Sequence, residues 1–409
     1  MVNNEIKRNG KVQAPLVAGS KEQLSVTRFF HGTQIYAVIN INTKVFTIFE
    51  NMIKYKQKEG DGTMFGKNLK YYRLKNNMSM KELADLVQIS PMAISHYEKE
   101  ERRPDMQTMK ALAKVLHVRV TDFLANRDAS LEFCHGEFRK NSKLSAKQQE
   151  FVKEEVEEYF GRFYQTVNIL GGEVLPDHPA LHSLELSDSV EENAVKMRDK
   201  LELSKNGPIG GLIEILENKG ILVYLCDIEN DDFSGMNGTV NGRPYIIINK
   251  NMNAQRIRST IAHEMAHLMF KWPEDMSEKG VENTANAISG AFLFPISDMK
   301  RELGVRRSAI TNDMVGVCKE YGISMYMLVM RANKSGIVND YVAKNFYINA
   351  NKAGWRKNEP SRAKEEETRL FCQLVYRAVT ENEITAQKGA ELLHESYEKV
   401  MEECSAMEV

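Results

Sequence analysis

Thr260-Ile261-Ala262-His263-Glu264-Met265-Ala266-His267-Leu268-Met269-Phe270 is the stretch that decides how this chain is read. Two histidines four residues apart on a helix lie on one face, so both imidazoles can reach a single metal ion while Glu264 faces a bound water. The apolar residues on either side predict a buried helix. The plainer alternative, a solvent-facing helix that happens to bear two histidines, fits those flanks poorly, because a buried imidazole needs a polar partner. The motif therefore points to a metal-dependent hydrolase, with His263 and His267 as ligands and Glu264 as the base.

A catalytic zinc takes three protein ligands and keeps a fourth position open. Downstream, Glu282 to Pro295 reads as a helix stopped by proline, with Ala285, Ile288, Ala291 and Phe292 on an inner face. Glu282 lies in its first turn, on or beside that face, so packing this helix against the first would bring its carboxylate to the metal, and Glu278 one turn earlier could substitute. On spacing alone, both are equally well read as acids favoured at a helix N-terminus.

The motif, followed by Glu282 and by Ala285-Asn286 running to Phe292-Leu293-Phe294-Pro295, resembles the ImmA/IrrE family of zinc metallopeptidases. That resemblance implies a zincin-like domain in which His263, His267 and Glu282 hold Zn2+ and Glu264 is the catalytic general base. Gln255 to Ala262 also matches. Ser259 and Lys271 depart from the pattern, and neither is expected to be a ligand. Iron or manganese can occupy the same donor atoms in isolation. Tyr245-Ile-Ile-Ile-Asn249 reads as a strand, and a core strand rather than a substrate-binding edge.

A second pattern lies upstream. Residues 65–124 read as five short helices: Gly66 to Lys75, Met80 to Val87, Pro91 to Glu98, Met106 to Leu116 and Val120 to Leu124. Ser79 with Glu82 forms a capping-box signature, Ser90-Pro91 supplies an N-cap followed by proline, and Arg103-Pro104-Asp105 separates the third and fourth helices. Glu82-Leu83-Ala84, Ile89-Ser90, Ile94-Ser95-His96-Tyr97-Glu98 and Pro104 resemble the helix-turn-helix of the phage-repressor or XRE family. The resemblance implies double-stranded operator DNA as a partner, with Ser90, Pro91, Met92, Ser95 and His96 at or near the major groove. Met80 stands where that family often has Gln. Between Met64 and Asn126 there are eleven Lys/Arg against seven Asp/Glu, in a chain whose formal charge is −1. Lys67, Lys70, Arg73, Lys75, Arg102 and Arg103 are candidate phosphate contacts.

The expected architecture is multidomain, mostly α with a small α+β part. Residues 1–63 are an unassigned extension, with a β-hairpin suggested around Thr33 to Phe49. Alternatively, because Lys58-Glu59-Gly60 can be encoded by a purine-rich stretch of ribosome-binding character, translation is expected to start at Met64. Residues 64–126 form the five-helix XRE-type domain, and 127–189 a linker with a long amphipathic helix from Ser145 to Leu170. Residues 190–334 form the metallopeptidase domain, its motif helix beside a small sheet, and 335–409 a helical C-terminal region. Five scattered cysteines suit neither a zinc knuckle nor a disulfide framework, so a reducing cytoplasm is expected, and no transmembrane run appears. His178 and His182 flank Pro179 and read as a loop.

Three functions fit. The first is a regulator whose peptidase cleaves a repressor or itself, working as a homodimer on paired half-sites. The second is a non-proteolytic transcription factor with a structural or sensory zinc. The third is a toxin-antitoxin or phage-defence component.

Overall fold

The computed structural model describes residues 26–31 and 34–39 as backbone, and residues 64–125, 131–136, 144–230, 232–356 and 358–405. The chain divides into two compact units, 1–63 and 64–409. In the first, β1 (Val26–His31) and β2 (Gln34–Ile39) pair antiparallel, with Val26 opposite Ile39. Its second strand falls within the stretch expected to form a hairpin, 33–49, and its first begins earlier; residues 40–49 fall outside the described ones.

The second unit begins with α1 (Phe65–Lys75), α2 (Met80–Val87), α3 (Pro91–Glu98), α4 (Met106–Val115) and a 3-10 turn, Val120–Leu124. Local chemistry sets each start. Ser79 accepts from the Glu82 amide while Glu82 reaches back to Ser79, Ser90 accepts from Ala93, and Asp105 accepts from Thr108. The last expected helix is a 3-10 turn, whose five residues suit that tighter form. Leu69, Leu83, Ala84, Ile94, Leu112 and Phe123 fill a small core.

Next come β3 (Phe133–His135), α5 (Ala146–Ile169), the two-residue β4 (Leu184–Glu185), α6 (Val190–Lys200) and α7 (Leu212–Asn218). The sheet is built from β5 (Leu222–Cys226), β6 (Gly235–Val240) and β7 (Arg243–Asn249). Its order is β3-β6-β7-β5, with β5 parallel to β7 and the other pairs antiparallel.

The motif helix α8 (Ala254–Met269) runs directly into β8 (Phe270–Lys271), which pairs with β4. Helices α9 (Glu278–Leu293), α10 (Ile296–Leu303), α11 (Asp313–Tyr321), α12 (Met325–Lys334) and α13 (Asp340–Lys352) follow. The C-terminal helices are α14 (Leu370–Thr380), α15 (Ala386–Leu393) and α16 (Tyr397–Glu403).

Strand β7 is buried on both faces, which explains its unbroken apolar run. Ile246 and Ile248 join α8 and α9 in one core, while Tyr245 and Ile247 join α5 and α14 in another. The expected core strand is therefore central. Helix α5 supplies Val152, Val156, Phe160 and Phe163 to that second core, so it is the layer behind the sheet as well as a connection. Each fully buried aromatic there contributes roughly 1.5–3 kcal/mol.

Candidate metal centre

Asn253 caps α8 by accepting from the Arg256 amide, and Ile261, Ala262, Met265 and Ala266 bury its inner face. That anchoring leaves His263 and His267 facing Glu282 of α9, and Glu264 facing Asn237 of β6. The second helix is seated by Ala285, Ile288, Ala291 and Phe292, all fully buried, as its spacing predicts. Its C-terminal end is held by the buried Arg198 of α6, whose Nε donates to the Phe292 carbonyl at 2.8 Å.

With both helices fixed, three donors converge. His263 Nε2 and His267 Nε2 are 3.1 Å apart, and each faces a different oxygen of Glu282, at 3.5 and 3.3 Å respectively. Zinc–ligand bonds near 2.0–2.1 Å in a tetrahedron imply donor separations of roughly 3.3 Å. The separations between the three side chains are of that order, so His263, His267 and Glu282 could serve one zinc ion. Among the described residues they are a group able to hold a metal ion. Glu278, the alternative carboxylate, is not part of that group.

Glu264 is buried one residue beyond His263, and its Oε2 accepts from Asn237 Nδ2 of β6 at 2.7 Å. The His267 ring lies 5.5 Å from the ring of Trp272. Neither Asn237 nor Trp272 stands out in the sequence. Asn237 lies in a short strand with no local pattern, and it acquires meaning only because β6 crosses α8. A methyl at Gly235 would stand 2.9 Å from Thr260 Cγ2, which measures how closely the two elements approach.

Residues 216–333 match the family described as IrrE N-terminal-like domain, and residues 69–123 match the family described as helix-turn-helix. The chain fuses an XRE-type helix-turn-helix to an ImmA/IrrE-like metallopeptidase domain. No curated protein matches it. The ImmA/IrrE-like match spans both helices that bear the three donors and Glu264.

Tyr245, on the other face of the sheet from α8, is not near these donors. It packs on Phe160, its hydroxyl bonds His135 Nδ1 at 2.7 Å, and burial raises its pKa so that the phenol stays protonated. His182 Nδ1 bonds the Phe270 carbonyl at 3.1 Å, consistent with a structural loop residue.

In the helix-turn-helix, Ser90 caps α3, Pro91 follows at its first position, and Met92 is 66 % exposed. Ser95 and His96 are half-buried, and His96 Nδ1 lies 2.9 Å from Glu101. Lys75 is exposed, with its ammonium 3.2 Å from the Tyr71 hydroxyl. Arg73 corrects the sequence reading. It is 4 % exposed, paired through two nitrogens with Glu98 at the end of α3, and it donates to the Met78 carbonyl. A guanidinium enclosed in that way ties α1 to α3 and cannot reach a phosphate. Lys67 and Lys70 are likewise turned toward α5, at 3.7 Å from Glu157 and at 2.8 and 2.9 Å from Glu150 and Glu154.

The Asn237 contact yields a first expectation. Asn237→Ala leaves the three metal donors untouched but frees the Glu264 carboxylate to rotate. Loss of such a supporting hydrogen bond should lower kcat roughly tenfold to hundredfold. Zinc content and KM should stay near wild type in steady-state assays with metal analysis.

Proposed function

We propose that this chain is a DNA-binding transcriptional regulator whose zinc-dependent endopeptidase site cuts a repressor, or the chain itself, to switch transcription. The observation that carries this reading is the pairing of three converging donors, His263, His267 and Glu282, with a buried carboxylate, Glu264, that is held by Asn237. A structural zinc site is closed by four protein ligands, whereas three donors and a nearby acid or base suit hydrolysis.

Zinc held there would polarise a peptide carbonyl and acidify a water molecule. Glu264 takes the proton from the attacking water and returns it to the departing amine, acting first as base and then as acid. Asn237 donates to one carboxylate oxygen and so orients the group. Trp272 flanks His267 and walls one side of the site.

The working division of the chain is a DNA-binding domain at 64–126, a connecting segment and long helix at 127–189, the peptidase at 190–334 and a helical region at 335–409. Ser90, Pro91, Met92, Ser95 and His96 are the proposed DNA-reading positions, with Lys75, Arg102 and Arg103 beside them on phosphates. We place the protein in the cytoplasm as a homodimer on paired half-sites. No described helix is long and apolar enough to cross a membrane.

The test is metal removal. Full-length protein, zinc-loaded or stripped by chelator and repurified, is incubated alone and with the repressor encoded beside it, and the products are weighed by mass spectrometry. One defined bond should break with zinc present and stay intact without it. If the zinc-loaded chain binds operator DNA yet cuts neither protein, the site has a structural or sensory role instead.

A further inference from the structure

An extended peptide binds a sheet by adding a strand to a free edge, through main-chain hydrogen bonds. The strand beside the proposed catalytic group is β6, since Asn237 of β6 donates to Glu264. Side chains alternate along it. Met236 and Val240 face the core behind the sheet, so Gly235, Asn237 and Thr239 face α8. One edge of β6 pairs with β7, and the other is the natural place for an extended chain to pass the metal donors.

That edge is occupied. Strand β3 pairs antiparallel with it, placing Phe133 opposite Val240, Cys134 opposite Thr239 and His135 opposite Gly238. The pairing extends at both ends, where Gly136 donates to the Asn237 carbonyl at 2.8 Å and Asn241 donates to the Glu132 carbonyl at 2.8 Å. Because bonded pairs alternate in an antiparallel ladder, Cys134 and Thr239 form the bonded pair between them. The contact ends at Asn237, the residue that touches Glu264.

The apposition is close. A Cβ at Gly238 would lie 2.6 Å from the Cys134 carbonyl, and one at Gly136 would lie 2.5 Å from the Asn237 carbonyl. Side chains also hold the strand, since Phe133 stacks on His135 with ring centroids 5.4 Å apart and His135 bonds the Tyr245 hydroxyl. Glu157, which faces His135, also faces Lys67 of the DNA-binding domain. Only residues 125–132 separate that domain's last turn from β3.

We propose that β3 is a tethered plug on the peptide-docking edge of the peptidase, which an extended protein substrate must displace before it can reach Glu264. This inference rests on the peptidase reading for its biological meaning, but its structural content can be tested without turnover. A short tether holds the plug at an effective concentration on the order of millimolar, so a free peptide competes poorly until the plug is loosened.

The test uses full-length, zinc-loaded protein bearing Glu264→Gln, which separates binding from cleavage. Two further variants loosen the plug. Gly136→Val collides with the Asn237 carbonyl, and Cys134→Pro removes the central ladder N–H. Circular dichroism and zinc content check that each folds, and either variant suffices. The probe is a fluorescein-labelled peptide spanning Ala129 to Phe138, with serine in place of its cysteine, followed by anisotropy. Amide exchange is read across Gly235–Val240.

Loosened proteins should bind the probe at least about tenfold tighter than the parent, with faster exchange in β6. Faster exchange with unchanged affinity would overturn the proposal, as would equal binding by all three proteins. With Glu264 restored, a loosened chain that binds the probe but cuts no protein would defeat the peptidase reading and leave the plug standing. Full-rate cleavage by a chain whose β6 amides stay protected would do the reverse.

Discussion

Glu264→Gln, carrying one zinc per chain, should cleave its substrate about 10²–10⁴-fold more slowly than wild type, the usual range for removing a general acid–base group. The side chain is buried, so the replacement has to conserve volume, and the amide does. Its carbonyl oxygen can still accept from Asn237, which keeps β6 and α8 in register. The donors His263, His267 and Glu282 are separate side chains and keep their positions. What disappears is the capacity to take a proton from water. Initial rates by mass spectrometry, alongside zinc analysis and operator binding, check the prediction. Equal rates for the two zinc-loaded proteins would remove Glu264 from the chemistry.

Arg73→Ala should destabilise the helix-turn-helix by about 3–5 kcal/mol, because breaking a buried ion pair strands the other charge. The stranded charge is Glu98, whose side chain is 4 % exposed. The Met78 carbonyl loses a donor as well. Thermal melts and amide exchange in α1 and α3 should report the loss. DNA binding separates this role from a phosphate contact. A lost phosphate contact lowers the slope of log affinity against log salt by about one. For Arg73→Ala, measured where the domain remains folded, the slope should be unchanged. The double variant Arg73→Met with Glu98→Leu should recover much of the stability, since apolar replacements of a buried pair are often neutral or better.

These two residues show what the sequence exposes and what it conceals. Helix starts are local events, and Ser79 with Glu82, or Ser90 with Pro91, announce them within four residues. The histidine pair is local too, because one turn of helix fixes its geometry. Glu282 is different. Spacing put it beside the inner face of its helix with Glu278 as a possible substitute, and its role as a ligand came from family resemblance; in the fold its carboxylate lies beside both histidines. Arg73 looked like any other basic residue of a DNA-binding domain, since its partner Glu98 is distant in sequence. Lys67 and Lys70 likewise pair with carboxylates of α5, a helix far along the chain, so nothing local announces those contacts. Asn237 was silent because a polar residue in a six-residue strand has no periodic signature.

The second core has a practical consequence for anyone who wants the catalytic part alone. Trimming to the stretch that matches the peptidase family, residues 216–333, would strip away α5 and α14. Leu222, Met236, Tyr245 and Ile247 would then face water as one continuous oily surface. Fragments of that kind clump. The matched stretch is thus a unit of recognition, whereas a piece that keeps this core covered takes in α5 and the C-terminal helices, sequence that bears none of the chemistry.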